Sequence, residues 1–384
     1  MLVLDGKTKA RRDQLAAESS RMKAQLKTTG VALAAREGGV PGTEHAGFRD
    51  AKVHIRGEYR RLGQAVKRGA PEILAGPEPI EITSGSGRAE LARWISRDDH
   101  PLTPRVMANR IWLHHFGEGI VRTPNNFGFK SDPPSHPELL DWLASEAVRG
   151  GWKLKRLHKL IMMSSTYRQS STHPSHDEYA GRDYANRLIW RFNRRRLDAE
   201  ALRDAILTAS GRLNKKMGGP SFFPRMSPEA LEGLSRKATA WGSSPPEERS
   251  RRSIYMMSKR SRLLPLMTTF DFCDTTLSCG QRDVSLVPTQ ALALLNNHFV
   301  HEQSRAMAER LQAAAKDDLD AQLSTGWHHA FGRAATPEQL SKSREFVHRQ
   351  TALFKERKDK TPELTALANY CQALMSANKF GYVD

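Results

Sequence analysis

The sequence predicts a mainly α fold, a multi-helix globular domain with a small β-containing N-terminal segment. Two observations carry this. From Gly87 onward, apolar residues recur three and four positions apart, the spacing of one helix face. Before Gly87, short β-prone pieces stand between Gly- and Pro-rich turns. A chain of 384 residues has room for more than one compact unit. The expected division is a helix over 1–30, readable as the remnant of an upstream region, a β-containing segment over 31–86, and a helical domain over 87–384 with a mobile loop near 213–250.

Element by element, residues 6–28 are rich in helix formers, and Leu15, Met22 and Leu26 give a marginal apolar stripe that Thr29-Gly30 ends. The β-prone pieces are VALAA at 31, KVHIRG at 52 and IEIT at 80. Thr103-Pro104 sets a capping hydroxyl ahead of a proline, and the helix runs through Ile111 and Trp112 to Phe116, where Gly117 stops it. Ser135-x-x-Glu138 has the form of a capping box for a helix carrying Leu139, Leu140, Leu143 and Ala147. Leu154, Leu157, Leu160 and Ile161 repeat the pattern, as do Ala201, Leu202, Ala205, Ile206 and Ala209 within 197–210. Ile254 to Met257 reads as a buried strand. Helices return at Pro288, and three more reach the end, two of them announced by Thr336-Pro337-Glu338 and Thr361-Pro362-Glu363.

The formal net charge is +18. Such a balance points to nucleic acid, anionic lipid head groups or acidic polysaccharide as partners. The basic residues are dispersed, however. The densest runs, Arg194-Arg195-Arg196, Arg251-Arg252 and Lys259-Arg260-Ser261-Arg262, lack interleaved aromatics and read as solvated surface. Specific nucleic-acid binding is therefore not expected. Three cysteines, Cys273, Cys279 and Cys371, cannot build a disulfide framework, and neither CxxC nor CxxCH is present. No cofactor or metal is expected in this chain. No apolar run approaches the roughly 18 residues of a membrane span, and the first residues, MLVLDGKTKARRDQL, lack the apolar core of a secretory signal.

Three polar constellations stand out. The first is NRIWLHHFGEGIVRTPNNFG, residues 109–128. Adjacent residues on a helix diverge by about 100 degrees, so His114 and His115 cannot readily share an ion, and HExxH is absent. His115 shares the face of Ala108, Ile111 and Trp112 and reads as a hydrogen-bonded core histidine. Asn109 and Arg110 lie mid-helix among apolar neighbours and must find partners. The 123–128 loop, with Asn126, offers them.

The second constellation is WRFNRRRLDAEALRDA, residues 190–205. Its spacing predicts ion pairs of Glu200 with Arg196 and Arg203, and arginines so close would keep carboxylates ionised rather than poised for acid–base work. The third is residues 270–300, where Cys279 reads as a nucleophile or a structural thiol. No GxSxG, P-loop or GxGxxG is present. The expected candidate site is one polar network of Asn109, Arg110, His114, His115, Asn126, Arg194, Arg195, Arg196, Asp198 and Glu200, with no catalytic residue assigned.

The chain from about Val53 to Asp384 also carries HIRGEYRRLGQAVKRGAPEIL, LARWISRDDHPLTPRVMANRIWLHHFGEGIVRTPNNFG, PPSHPELLDWLA, GWKLKRLHKLIMMSSTYRQSS, NRLIWRFNRRRLDAEALRDAIL, VPTQALALLNNHFV and LANYCQALMSANKFGYVD. In this order they resemble the planctomycete-specific domain of unknown function that follows planctomycete-type cytochrome C domains in large secreted proteins. The resemblance implies an exported, haem-associated context and no assignable catalytic residue. This chain departs from the pattern in lacking the haem-binding CxxCH region and an export signal, and in Lys379, where the family usually has an acidic residue. It resembles the C-terminal part of a longer protein, extracytoplasmic by that likeness and cytoplasmic if Met1 is its true start.

Three functions fit these readings: an accessory or substrate-contacting module beside an upstream haem domain, a hydrolase or lyase acting on an anionic polysaccharide, and a basic nucleic-acid-binding protein. An apolar patch would mark the first, a convergent cleft of Asp, Glu and His the second, a continuous basic stripe the third.

Overall fold

The computed structural model describes residues 5–25, 37–43, 46–76, 80–227, 229–232, 241–260 and 262–383. It is mainly α-helical, with two small antiparallel two-stranded sheets. The chain forms two compact units, Met1–Thr103 and Pro104–Asp384.

In the first unit, α1 (Gly6–Gln25) leaves Leu15 and Met22 exposed. So little burial leaves this helix to intrinsic propensity and near-neighbour contacts such as Arg11 to Gln14. The VALAA piece and the expected stop at Thr29-Gly30 lie outside the described residues. Strand β1 (Ala51–His54) pairs antiparallel with β2 (Leu62–Val66), with an irregularity between Lys52 and His54. IEIT at 80 is not a strand: β1 pairs with LGQAV, and among the described residues no ladder includes 80–83. α2 (Arg88–Ile95) follows. The His100 ring accepts from the backbone N–H of Leu102 and Thr103 through Nδ1 at 3.2 and 3.1 Å. An imidazole thus does the capping work expected of the Thr103 hydroxyl.

The second unit holds two apolar cores. The first lies between α3 (Thr103–Phe116), α4 (Pro137–Arg149) and α5 (Leu154–Met163). Trp112 and Phe116 stack there at 4.1 Å, and Leu140, Leu143, Leu157 and Ile161 close around them. Gly117 ends α3 at φ 83°, a left-handed position that a side chain resists. The capping box does not form. His136 is the N-cap of α4 without a side-chain bond, and the Ser135 hydroxyl turns to Ile120 O at 3.4 Å.

The second core is built by α6 (Ala199–Ser210), α7 (Pro265–Thr269), α8 (Pro288–Asn296), α9 (His298–Ala315), α10 (Leu319–Phe331), α11 (Pro337–Glu356) and α12 (Pro362–Ser376). Helix α12 packs on both α9 and α11, and α9 also on α6. Val300, Met307, Leu311, Cys371 and Met375 are buried at the centre. From Pro288 onward there are five helices of nine residues or more rather than four. Two side-chain caps divide them: Asn297 accepts from Phe299 N, and Asp318 from Ala321 N. Thr336 and Gln339 form a complete capping box on α11. β3 (Arg195–Arg196) pairs with β4 (Tyr382–Val383) and ties the start of α6 to the chain's end.

Residues 254–257 are not a buried strand. Ser253–Tyr255 is a 3-10 turn with Ile254 exposed, and only a single bridge joins Met256 to Phe222. The stretch lies beside buried Arg251, which donates to Pro220 O at 3.0 Å and Glu248 Oε2 at 2.9 Å and also to Gly218 O. A guanidinium read as solvated surface thus anchors the 218–220 turn from inside.

Asn109 is 0% exposed. Its Oδ1 accepts from Val121 N at 2.8 Å and its Nδ2 donates to Val121 O at 3.0 Å. One buried amide thereby completes the backbone of the returning loop. Asn109→Ala should destabilise by about 1–3 kcal/mol, the usual penalty for unpaired buried partners. His114→Ala should cost less than His115→Ala, because His114 is exposed while His115 is half-buried and bonded to His158. Urea denaturation of the three variants checks both statements, and an unchanged midpoint for Asn109→Ala would contradict the first.

Candidate functional site

The three constellations meet in part. A cleft of about 580 Å³ is lined by the 123–126 turn on one side and by residues of the 271–283 segment on the other. The turn is shaped locally. The Thr123 hydroxyl donates to Asn126 O at 2.8 Å, and Asn126 Oδ1 accepts from Gly128 N at 3.0 Å. The facing segment approaches so closely that a Cβ on Gly280 would lie 2.1 Å from Asn125 Oδ1. A larger residue there would push the Asn125 side chain aside. Gln281 reaches across to Gly117 O at 3.4 Å.

One arginine from the second constellation, Arg196, and one from the third, Arg282, pair with carboxylates at the cleft. Arg196, 6% exposed, donates to Asp271 Oδ2 and Ser285 O, each at 2.5 Å. Asp271 also accepts from Ser285 N and Oγ. Glu200 does not pair with Arg196 or Arg203 as its spacing suggested. It takes a two-pronged bond from Arg282, Nη1 to Oε2 at 2.6 Å and Nη2 to Oε1 at 2.8 Å. Arg203 turns inward instead, donating to Arg249 O, Arg251 O and Ser253 Oγ. Asp198 stands 4.0 Å from Arg282.

The remaining network residues go elsewhere. Asn109 bonds to Val121, ahead of the 123–128 loop. Arg110 is half-buried and bonds to neither that loop nor 193–196 among the described residues. Arg195 donates to His114 O at 2.7 Å, a cation on the last turn of α3, and Arg194 donates to Ser171 at 3.4 Å. His115 Nε2 and His158 Nδ1 meet at 2.8 Å. Burial, then the His158 and Arg195 charges, lowers the His115 pKa and so favours the neutral ring. No group of three or more metal-ligating side chains forms among the described residues.

Chemically, the cleft is committed rather than poised. Burial pushes the Glu200 and Asp271 carboxyls up, but their arginine partners outweigh it and both end below the ordinary carboxylate range. Cys273 and Cys279 are both free thiols. Arg282 Nε donates to Cys273 Sγ at 3.1 Å, and Cys279 Sγ donates to Gln281 O at 3.2 Å. Burial first, then neighbouring Cys273, raises the Cys279 pKa, the opposite of an activated nucleophile. Sequence reasoning missed Asp271, Ser285 and Arg282 as partners. The signal was a deficit: three consecutive arginines had only Asp198 and Glu200 nearby, so remote acceptors had to exist.

The Glu200–Arg282 bond gives a pH test. A depressed folded pKa contributes stability that is complete above the ordinary Glu value of 4.5 and is lost as pH falls through the lower folded value. Glu200→Gln should therefore cost about 1.5–3 kcal/mol at pH 7, the range for bonds to charged groups. The gap to the parent should close as pH falls below 4.5. Denaturation midpoints at pH 7 and pH 3 check this, and a gap that persists in acid would contradict it.

No curated protein and no solved structure matches the chain. Residues 87–347 match the family described as PSD1, protein of unknown function (DUF1553). That span runs from α2 into α11 and includes the cleft, both arginine clamps and the first apolar core. With well over half its length matched, the chain belongs to this PSD1 family of unknown function.

Proposed function

We propose that the chain is an accessory docking module of a longer, extracytoplasmic, haem-associated protein, and that it contributes a surface rather than a reaction. The observation that carries this reading is the stretch from Val284 to Asn296, VSLVPTQALALLN, which holds no charged residue in a chain of net charge +18. Val284, Leu286, Leu292 and Leu295 are 70%, 79%, 54% and 49% exposed. Leu292 and Leu295 are three apart on α8 and so share a face. Arg196 and Gln290 hold this stretch from beneath through Ser285. A firmly held, charge-free apolar surface marks a contact site.

The occupant that fits the sequence resemblance is a planctomycete-type cytochrome C domain upstream in the same polypeptide. The arginine pairing of Asp271 in the cleft and of Glu200 beside it speaks against acid–base work by these two carboxylates. No haem or metal belongs to this chain on this reading, since it has no CxxCH and no ligand set with metal spacing.

The test mixes this chain with a cytochrome C domain excised from a longer family member, followed by analytical ultracentrifugation. A 1:1 complex is expected, and Leu286→Asp with Leu292→Asp should weaken it at least tenfold while leaving the helical circular dichroism unchanged. No complex, or one indifferent to both substitutions, would overturn the proposal. In a parallel titration, duplex DNA should bind weakly and lose affinity steeply with salt, as expected of charge without a recognition motif. Tight, sequence-selective binding at high salt would instead support the nucleic-acid reading.

A further inference from the structure

A second, larger cavity lies in the same unit; it shares no lining residue with the cleft and meets the apolar stretch only at Asn296. Its volume is about 820 Å³, and among the described residues its lining includes five arginines against two glutamates, with neither lysine nor aspartate. That volume is in the range of small-molecule sites. We propose that this cavity binds an organic oxyanion, a carboxylate or sulfate group carried on a compact body.

Four observations lead there. First, Arg249 lines the cavity and its Nε is buried with no hydrogen-bond partner among the described residues. A buried donor without an acceptor is costly, and a small shift of this side chain toward an anionic oxygen in the cavity would give it one. Second, Arg203 at the inner wall is 3% exposed. Burial lowers its pKa to about 10, so it stays charged at neutral pH. Its nearest carboxylate, Asp204, is 3.8 Å away and already accepts from Ser253 N and Oγ. The positive charge is desolvated and only partly neutralised.

Third, the two glutamates at the rim are shared. Glu302 faces Arg225 at 3.3 Å and His298 at 3.2 Å, and Glu309 faces Arg212 at 3.6 Å and Arg305 at 3.4 Å. These long, exposed pairs leave an excess of positive charge and can reorganise around a ligand. Fourth, the 18-residue helix α9 begins here, with Asn297, His298 and Phe299 in the wall. Its dipole adds positive potential at the same point. Leu207, Pro224, Leu264 and Pro265 supply apolar walls for the body of the ligand, so the site suits an organic anion better than a bare ion or a nucleic-acid backbone.

The experiment is isothermal titration of the full chain at fixed ionic strength with three probes: D-glucuronate, inorganic sulfate and the neutral methyl glucoside. Glucuronate should bind most tightly, sulfate more weakly, and the neutral sugar not at all. Arg249→Gln and Arg225→Gln should each weaken glucuronate binding at least tenfold with thermal midpoints within a few degrees of the parent. Binding of neither anion, equal binding of the neutral sugar, or full affinity in a folded Arg249→Gln would overturn the proposal. So would a duplex oligonucleotide that displaces glucuronate competitively, since the cavity would then be part of a nucleic-acid surface.

Discussion

The second unit depends on arginines that are used up inside it, and the Arg196 guanidinium is the one on which most rests. It donates to Asp271 and to Ser285 O, lies 5.7 Å from the Phe270 ring centroid, and sits on a strand paired with Tyr382 and Val383. The side chain therefore ties the start of α6 to the loop after α7 and the approach to α8, and the backbone of the same residue pairs with the chain's end. Charge-assisted bonds of this kind are strong where burial excludes water, and the alternative is an unpaired buried charge. Arg282 on Glu200 repeats the device from the opposite direction, and Arg251 repeats it in the 218–220 turn.

This changes what the net charge of +18 means. Arg196, Arg203 and Arg251 are buried and act as struts that fasten loops to helices. Surface charge is correspondingly less than the formula suggests, and it gathers at specific places such as the rim around Arg212, Arg225 and Arg305. The cleft between 123–126 and 271–283 is bordered by structural pairs, Arg196 with Asp271 and Arg282 with Glu200. Its neighbour, the uncharged stretch over 284–296, is left presenting apolar side chains on a pinned backbone.

Features governed by neighbours in sequence were legible. The helix Thr103–Phe116 and its end at Gly117 follow from periodicity and one glycine, and a helix starts at Pro337 as Thr336-Pro337-Glu338 signals. Features governed by distant partners were not. Ser135 and Glu138 fit a capping box, yet the Ser135 hydroxyl finds Ile120 O instead. Glu200 had arginines three and four residues away and is claimed by Arg282, 82 positions off. Asn109 was readable as a buried amide in need of partners, but which loop would supply them depended on where the chain turned back, and that was Val121. IEIT had strand composition and no partner, while LGQAV had one. The large arginine-lined cavity drew no notice because its residues come from segments scattered between 203 and 309.

The central claim is that the Arg196–Asp271 clamp fixes the 284–296 surface. Hydrogen–deuterium exchange of Asp271→Ala against the parent tests it most directly. Release of the clamp should speed exchange of the amides from Val284 to Gln290, while peptides from α9 and α12, which pack on each other, keep their protection. Unchanged protection over 284–290 in the folded variant would contradict the account.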